Sequence, residues 1–266
     1  MKTRIITGLV LLPLLVIILL SNVHIITTAI AVVSVMGLFE FYRATGIKKH
    51  TSLCVVGYIA AVIICLYSYI PISLYMPIFY ILLLAVFITM LRNHKTLGVT
   101  EAGLAIFGVL YIPVFLSTLI NIRGLQYGNL LLWLVFIGAF LTDTCAYFSG
   151  VFLGRHKLCP EISPKKTIEG SVGGTVGCIV ALLLYGLLLE KVFHMEINYI
   201  KLGVLGVLVS PISQIGDLTA SIIKRKFGIK DYGNIFPGHG GILDRLDSII
   251  AVAPLVCIYL NIVGIN

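Results

Sequence analysis

Four aspartates stand out in a chain that otherwise avoids charge. Asp143 lies in "FIGAFLTDTCAYFSG" and Asp217 in "PISQIGDLTASIIKRK", both inside apolar runs. A carboxylate in such a run is expensive to bury and commonly marks an ion or substrate path. Asp244 and Asp247, in "LDRLD", stand three residues apart and so share one helical face. Their oxygens are hard ligands of the kind Mg2+ takes. Asp217 and Asp244, with Asp247 and Asp143 in support, are therefore the candidate metal ligands. The competing readings are structural: an aspartate bonded to a neighbouring helix for Asp143 and Asp217, and a carboxylate at a helix N-terminus for Asp244 and Asp247. Capping needs only one of that pair and leaves Asp217 unexplained.

Cations and glycines accompany these acids. Lys224, Arg225 and Lys230 follow Asp217, and Lys165 and Lys166 lie in "SPKKTIEG". Ser163 followed by Pro164 predicts an N-cap and a first helical residue. Both lysines would then sit at a helix N-terminus, a place that favours anions. The alternative is that they only set membrane topology. Arg245 is read as a partner for a site carboxylate. "FPGHGG" sets His239 among Gly238, Gly240 and Gly241, where glycines would let backbone N–H groups approach a phosphate. Acids for a metal, cations for phosphate and glycines for close approach make the inventory of metal-assisted displacement at phosphorus. "GSVGGTVG" is different: its GxxxG spacings, Gly170–Gly174 and Gly173–Gly177, predict close helix packing.

These residues must be positioned by membrane helices. The 266 residues are 59% hydrophobic and 11% charged, about half the charge of a soluble domain. Apolar runs of about 20 residues recur from end to end. The pattern predicts an all-α, polytopic bundle of about nine transmembrane helices, near 5–22, 24–42, 52–70, 73–91, 103–121, 128–153, 168–189, 199–223 and 248–264. The first run is followed directly by a second, which argues against a cleaved signal peptide. With the N-terminus in the cytosol, every Lys and Arg except Arg123, Lys191 and Lys201 falls on the cytosolic side. The C-terminus is then outside. The net charge of +8 is thus a cytosolic-face property, with a secondary attraction for anionic membrane lipids. No motif points to nucleic acid. Six cysteines without CxxC spacing read as small buried residues. The chain divides into N-terminal scaffold helices over 1–121 and a catalytic region over 122–266.

The stretch 221–247, "SIIKRKFGIKDYGNIFPGHGGILDRLD", resembles the signature of the phosphatidate cytidylyltransferases at Ser221, Lys224, Arg225, Lys230, Asp231, Gly233, Pro237, His239, Gly240, Gly241, Asp244, Arg245 and Asp247. "DTCAYFSGVFLGRHKL" and "SPKKTIEGSVGG" are similar to the same family. The resemblance implies transfer from CTP to phosphatidic acid with Mg2+, giving CDP-diacylglycerol and pyrophosphate in phospholipid synthesis. It implies a site at the cytosolic face of a bacterial cytoplasmic membrane, with a homodimer left open. Asp217, Asp244, Asp247, His239, Lys224 and Arg225 would carry the chemistry. Lys165, Lys166, Lys230, Asp231, Gly240, Gly241, Arg245 and Ser221 would hold substrate. The competing functions are a CTP-using polyprenol or phytol kinase, and a cation-coupled transporter with Asp143 and Asp217 as ion ligands.

Overall fold

The structure is a computed structural model and describes residues 13–236, 238 and 240–265. It is built almost wholly of helices: α1 over 13–20, α2 Val23–Ala44, α3 Thr51–Cys65, α4 Tyr75–Arg92, α5 Val99–Val109, α6 Phe115–Gly124, α7 Gly128–Leu153, α8 Ile168–Phe193, α9 Tyr199–Lys226 and α10 Leu243–Ile262. A π-helical turn, Leu110–Val114, joins α5 to α6 around Pro113, which lacks the N–H an α-helix needs there. Among the described residues seven helices are long and apolar enough to cross a membrane, with α5 and α6 counted as one. The protein is a polytopic membrane protein.

Two sequence expectations change, and a third lies partly outside the described residues. Of the span expected at 5–22, only the helical residues 13–20 and the turn after them are described. The span expected at 52–70 is a helix of 15 residues, Thr51–Cys65, followed by 3-10 turns at Tyr67–Tyr69 and Ile72–Leu74. At 1.5 Å per residue it reaches about 22 Å, short of a hydrocarbon core of about 30 Å. Ser163 and Pro164 do not open a helix. They begin strand β2, Ser163–Thr167, which pairs antiparallel with β1, Lys157–Cys159. The N-cap of α8 is Thr167, whose hydroxyl accepts from the Gly170 N–H at 3.1 Å. The carboxylate of Glu169, in the first turn, takes the N–H groups of Arg155 and His156, so the helix start also closes the hairpin.

The helices pack as two compact units. One takes in the chain up to Ile120 together with Phe227–Arg245, and the other Asn121–Lys226 with Leu246–Asn266. In the first unit α2 is the buried helix: Leu38, Phe41 and Tyr42 have no exposed surface, and the Tyr42 hydroxyl donates to the Ala105 carbonyl at 3.1 Å. In the second unit α8 lies along α7. A side chain at Gly174 would stand 2.9 Å from the Thr142 carbonyl, and one at Gly170 2.7 Å from that of Ala146. The GxxxG spacing thus lets two backbones meet, as the sequence predicts.

Candidate active site

The acidic cluster of the second unit comes from three helices: Asp143 from α7, Asp217 from α9 and Asp247 from α10. Glycine makes their approach feasible. A Cβ at Gly216 would stand 2.7 Å from both the Asp247 carbonyl and the Ala251 methyl, so α9 and α10 touch where Asp217 emerges. Gly138 gives α7 the same freedom against Val209 of α9. Ser248 links two of the acids: its hydroxyl donates to Asp143 Oδ2 at 2.9 Å, and its N–H to Asp247 Oδ1 at 2.9 Å. Asp217 and Asp143 act electrostatically on one another, and both act on Asp247. Lys166 and Lys224 oppose that repulsion.

Lys166 reaches the cluster because the hairpin carries it there. Its ammonium pairs with Asp217 Oδ2 at 2.5 Å and also meets the Gln214 carbonyl at 3.5 Å. Gln214 is itself fixed, donating to Ser210 Oγ and to the Ser171 carbonyl. The ion pair is partly buried, so removing either partner would leave the other charge poorly solvated. Lys165, its neighbour along the strand, is exposed.

Can this cluster hold a divalent cation? Among the described residues no three His, Cys, Asp or Glu side chains form a closed metal site. Mg2+ does not require one: it usually takes one or two carboxylates and completes its shell with water and substrate phosphates. One or two of these aspartates, with hard oxygens and partial exposure to water, would be enough for an ion bound in that way.

The central part of the signature stretch, Phe227–Arg245, belongs to the first unit, where Asp244 faces inward. Asp244 is 7% exposed, and its Oδ2 accepts from the N–H groups of Tyr232 at 2.8 Å and Gly241 at 2.9 Å. Glu40 of α2 is fully buried and takes the next two N–H groups, Ile242 on Oε1 and Leu243 on Oε2, each at 3.0 Å. Arg43, one turn along, donates to the Tyr232 carbonyl at 2.6 Å. Three successive N–H groups at the start of α10 are therefore held by carboxylates of the chain itself. Gly233 and Gly241 have no side chain because the Glu40 carboxylate occupies that space, and Gly240 adopts a left-handed φ of +85°. The expectation of glycine N–H groups open to phosphate thus changes at Gly241. His239 and Pro237 lie outside the described residues.

The structure brings together Asp143, Asp217, Asp247, Lys166 and Lys224 in one unit, and Asp244, Gly240 and Gly241 in the other. Arg225, Lys230, Asp231 and Arg245 are exposed, and Ser221 is half-buried on α9. Sequence reasoning missed Glu40, Arg43, Tyr232 and Ser248. Glu40 had a signal: in "GLFEFYRA" it is a carboxylate in an apolar run, the same criterion that selects Asp143 and Asp217.

The chain is similar to known proteins. A phosphatidate cytidylyltransferase of Bacillus subtilis (strain 168) is 40% identical over 180 residues, covering 67% of this chain and 65% of that protein. One of Rickettsia bellii (strain RML369-C) is 37% identical over 184 residues, 68% of this chain and 79% of its own. One of Staphylococcus aureus (strain COL) is 43% identical over 162 residues, 60% and 59% respectively. The match thus spans somewhat less than two thirds of the Bacillus protein. The profile described as "Cytidylyltransferase family" matches residues 2–263, nearly the whole length, and the chain belongs to that family.

Proposed function

We propose that this protein is a phosphatidate cytidylyltransferase, transferring the cytidylyl group of CTP to phosphatidic acid. The observation that carries this is the cluster of Asp143, Asp217 and Asp247 with Lys166 and Lys224, in a chain matching the cytidylyltransferase profile over residues 2–263. A phosphatidate oxygen attacks the α-phosphorus of CTP. The bond from that phosphorus to the β-phosphate bridging oxygen breaks, and CDP-diacylglycerol and pyrophosphate result. The attacking phosphate is already ionised at neutral pH, so the protein need not supply a strong base. Its work is positioning and charge compensation.

Asp217 and Asp247 would hold Mg2+, with Asp143 in support; the ion, when bound, neutralises phosphate charge and favours in-line displacement. Lys166 is held beside Asp217, where it can pass from carboxylate to phosphate as substrate enters. Lys224 would face the same phosphates, and Lys165, Arg225 and Lys230 extend the positive field for the triphosphate or the lipid phosphate. His239 and Ser221 remain candidates for phosphate contact, Asp231 and Arg245 for substrate binding. Asp244 serves by shaping the stretch with Gly240 and Gly241. The proposal includes nine spans, a cytosolic N-terminus and a site at the cytosolic face of the cytoplasmic membrane, where a soluble nucleotide and a leaflet lipid can meet. It leaves a homodimer open, which the mass of the solubilised protein would decide.

The test is pyrophosphate release from CTP by purified protein, with phosphatidate or an isoprenoid alcohol as acceptor. Pyrophosphate with phosphatidate alone supports the assignment. CDP with the alcohol would make the protein a kinase instead, and no CTP consumption with either would overturn the reading.

A further inference from the structure

The start of α10 is held by a residue 202 positions earlier in the chain. Burying a carboxylate completely is costly unless every lone pair of consequence is matched. Glu40 meets that condition with both oxygens on the N–H groups of Ile242 and Leu243, where the dipole of α10 adds to the attraction. A local N-cap could not do this: Ile242 precedes the helix and is apolar, and Asp244 is occupied with Tyr232 and Gly241. The surroundings fit the contact. Gly37, one turn before Glu40, admits the Leu243 side chain, since a Cβ there would lie 3.1 Å from Leu243 Cδ2. Arg43, one turn after, grips the other end of the stretch at the Tyr232 carbonyl. Helix α2 thus holds residues 232 and 242–243 at once, and the glycines between them leave room for the grip.

We infer that Glu40 is a positioning residue: its carboxylate sets the conformation at Gly241, Ile242 and Leu243 and the placement of Asp244, on which transfer depends. The effect on transfer rests on the function proposed above; the hold on the stretch does not. It makes α2, in the part of the sequence expected to be scaffold, a participant in shaping the site.

The test uses the full chain in detergent, as wild type, Glu40→Gln and Glu40→Asp. A carboxamide keeps the size of Glu40 but offers a single acceptor oxygen, so one of the two N–H groups is left without a partner. Two quantities are read: amide hydrogen exchange across residues 232–243, with α7 and α8 as internal control, and kcat with KM for pyrophosphate release. For Glu40→Gln the expected result is faster exchange confined to 232–243 and a fall in kcat of roughly tenfold or more at little change in the phosphatidate KM. Glu40→Asp, with two charged acceptors on a shorter stem, should recover part of the rate. Unchanged exchange in Glu40→Gln overturns the inference. So does turnover per folded molecule within twofold of wild type, even with a lowered melting temperature, because Glu40 would then be structural only. If wild type transfers nothing to phosphatidate, the proposed function has failed, and the exchange experiment still decides the hold.

Discussion

Asp217 and Asp247 face two opposing demands, charge for chemistry and neutrality for folding. Asp247 lies in the field of Asp217 and Asp143, offset by the Ser248 N–H and by Lys224. Asp247→Asn should therefore leave the melting temperature unchanged or raise it, while lowering CTP-dependent pyrophosphate release by roughly 100-fold, the equivalent of about 3 kcal/mol of transition-state stabilisation. Asp217→Asn should show the same loss of rate, but it also strands the Lys166 ammonium, so stability should fall rather than rise. Asp244 predicts a third outcome. Asp244→Ala leaves the buried N–H groups of Tyr232 and Gly241 without their acceptor, each worth about 1–3 kcal/mol. Its thermal denaturation should be visibly weakened, in contrast to Asp247→Asn. Measuring melting temperature and pyrophosphate release together separates the three aspartates by role.

Elements bring these residues into register by means of small side chains at contact points. Gly216 lets α9 lie against α10 at Asp247 and Ala251. Gly216→Ala places a methyl within 2.7 Å of a backbone carbonyl, which overpacks the contact at about 1–3 kcal/mol and pushes Asp217 from Asp247. Its expected signature is a raised Mg2+ requirement for pyrophosphate release, read by metal titration, together with reduced stability. At the other end of the site, Thr167→Ala removes the cap of α8 at about 1 kcal/mol. The hairpin hangs from that same helix start through Glu169, so Lys166 should lose part of its hold on Asp217 and the rate should fall modestly with stability.

At the scale of the molecule, the distribution of charge makes a topological prediction. Arg123, Lys191 and Lys201 are the only cations on the side assigned to the exterior. In a variant without the six natural cysteines, Leu125→Cys should react with an impermeant thiol reagent added to intact cells, and Lys157→Cys should react only after permeabilisation. Reversal of that pattern would invert the orientation and put the hairpin lysines on the wrong side for a cytosolic nucleotide. The short α3 belongs to this scale too. Its 15 residues cannot cross an undistorted bilayer alone, although its composition resembles that of its neighbours. Packing against α2 through Gly57, where the Tyr42 ring takes the space of a side chain, ties α3 to its unit, and the nine-span topology needs the 3-10 turns after it to complete its crossing.

Helices were legible because their signal is local. Twenty apolar residues must satisfy their own backbone in lipid, and α7 runs over Gly128–Leu153 as the apolar run predicts. The acids in apolar runs and the GxxxG packing of α8 were legible for the same reason, being costs or spacings readable from neighbouring residues. The end of α3 at Cys65 and the strand at Ser163–Thr167 were not, since hydropathy does not register where a helix stops and Ser-Pro opens helices and strands alike. Nor could the sequence show that Glu40 seals the start of α10. That contact joins residues 202 apart, and whether a backbone N–H meets a substrate phosphate or a carboxylate of its own chain depends on which group the fold delivers there first.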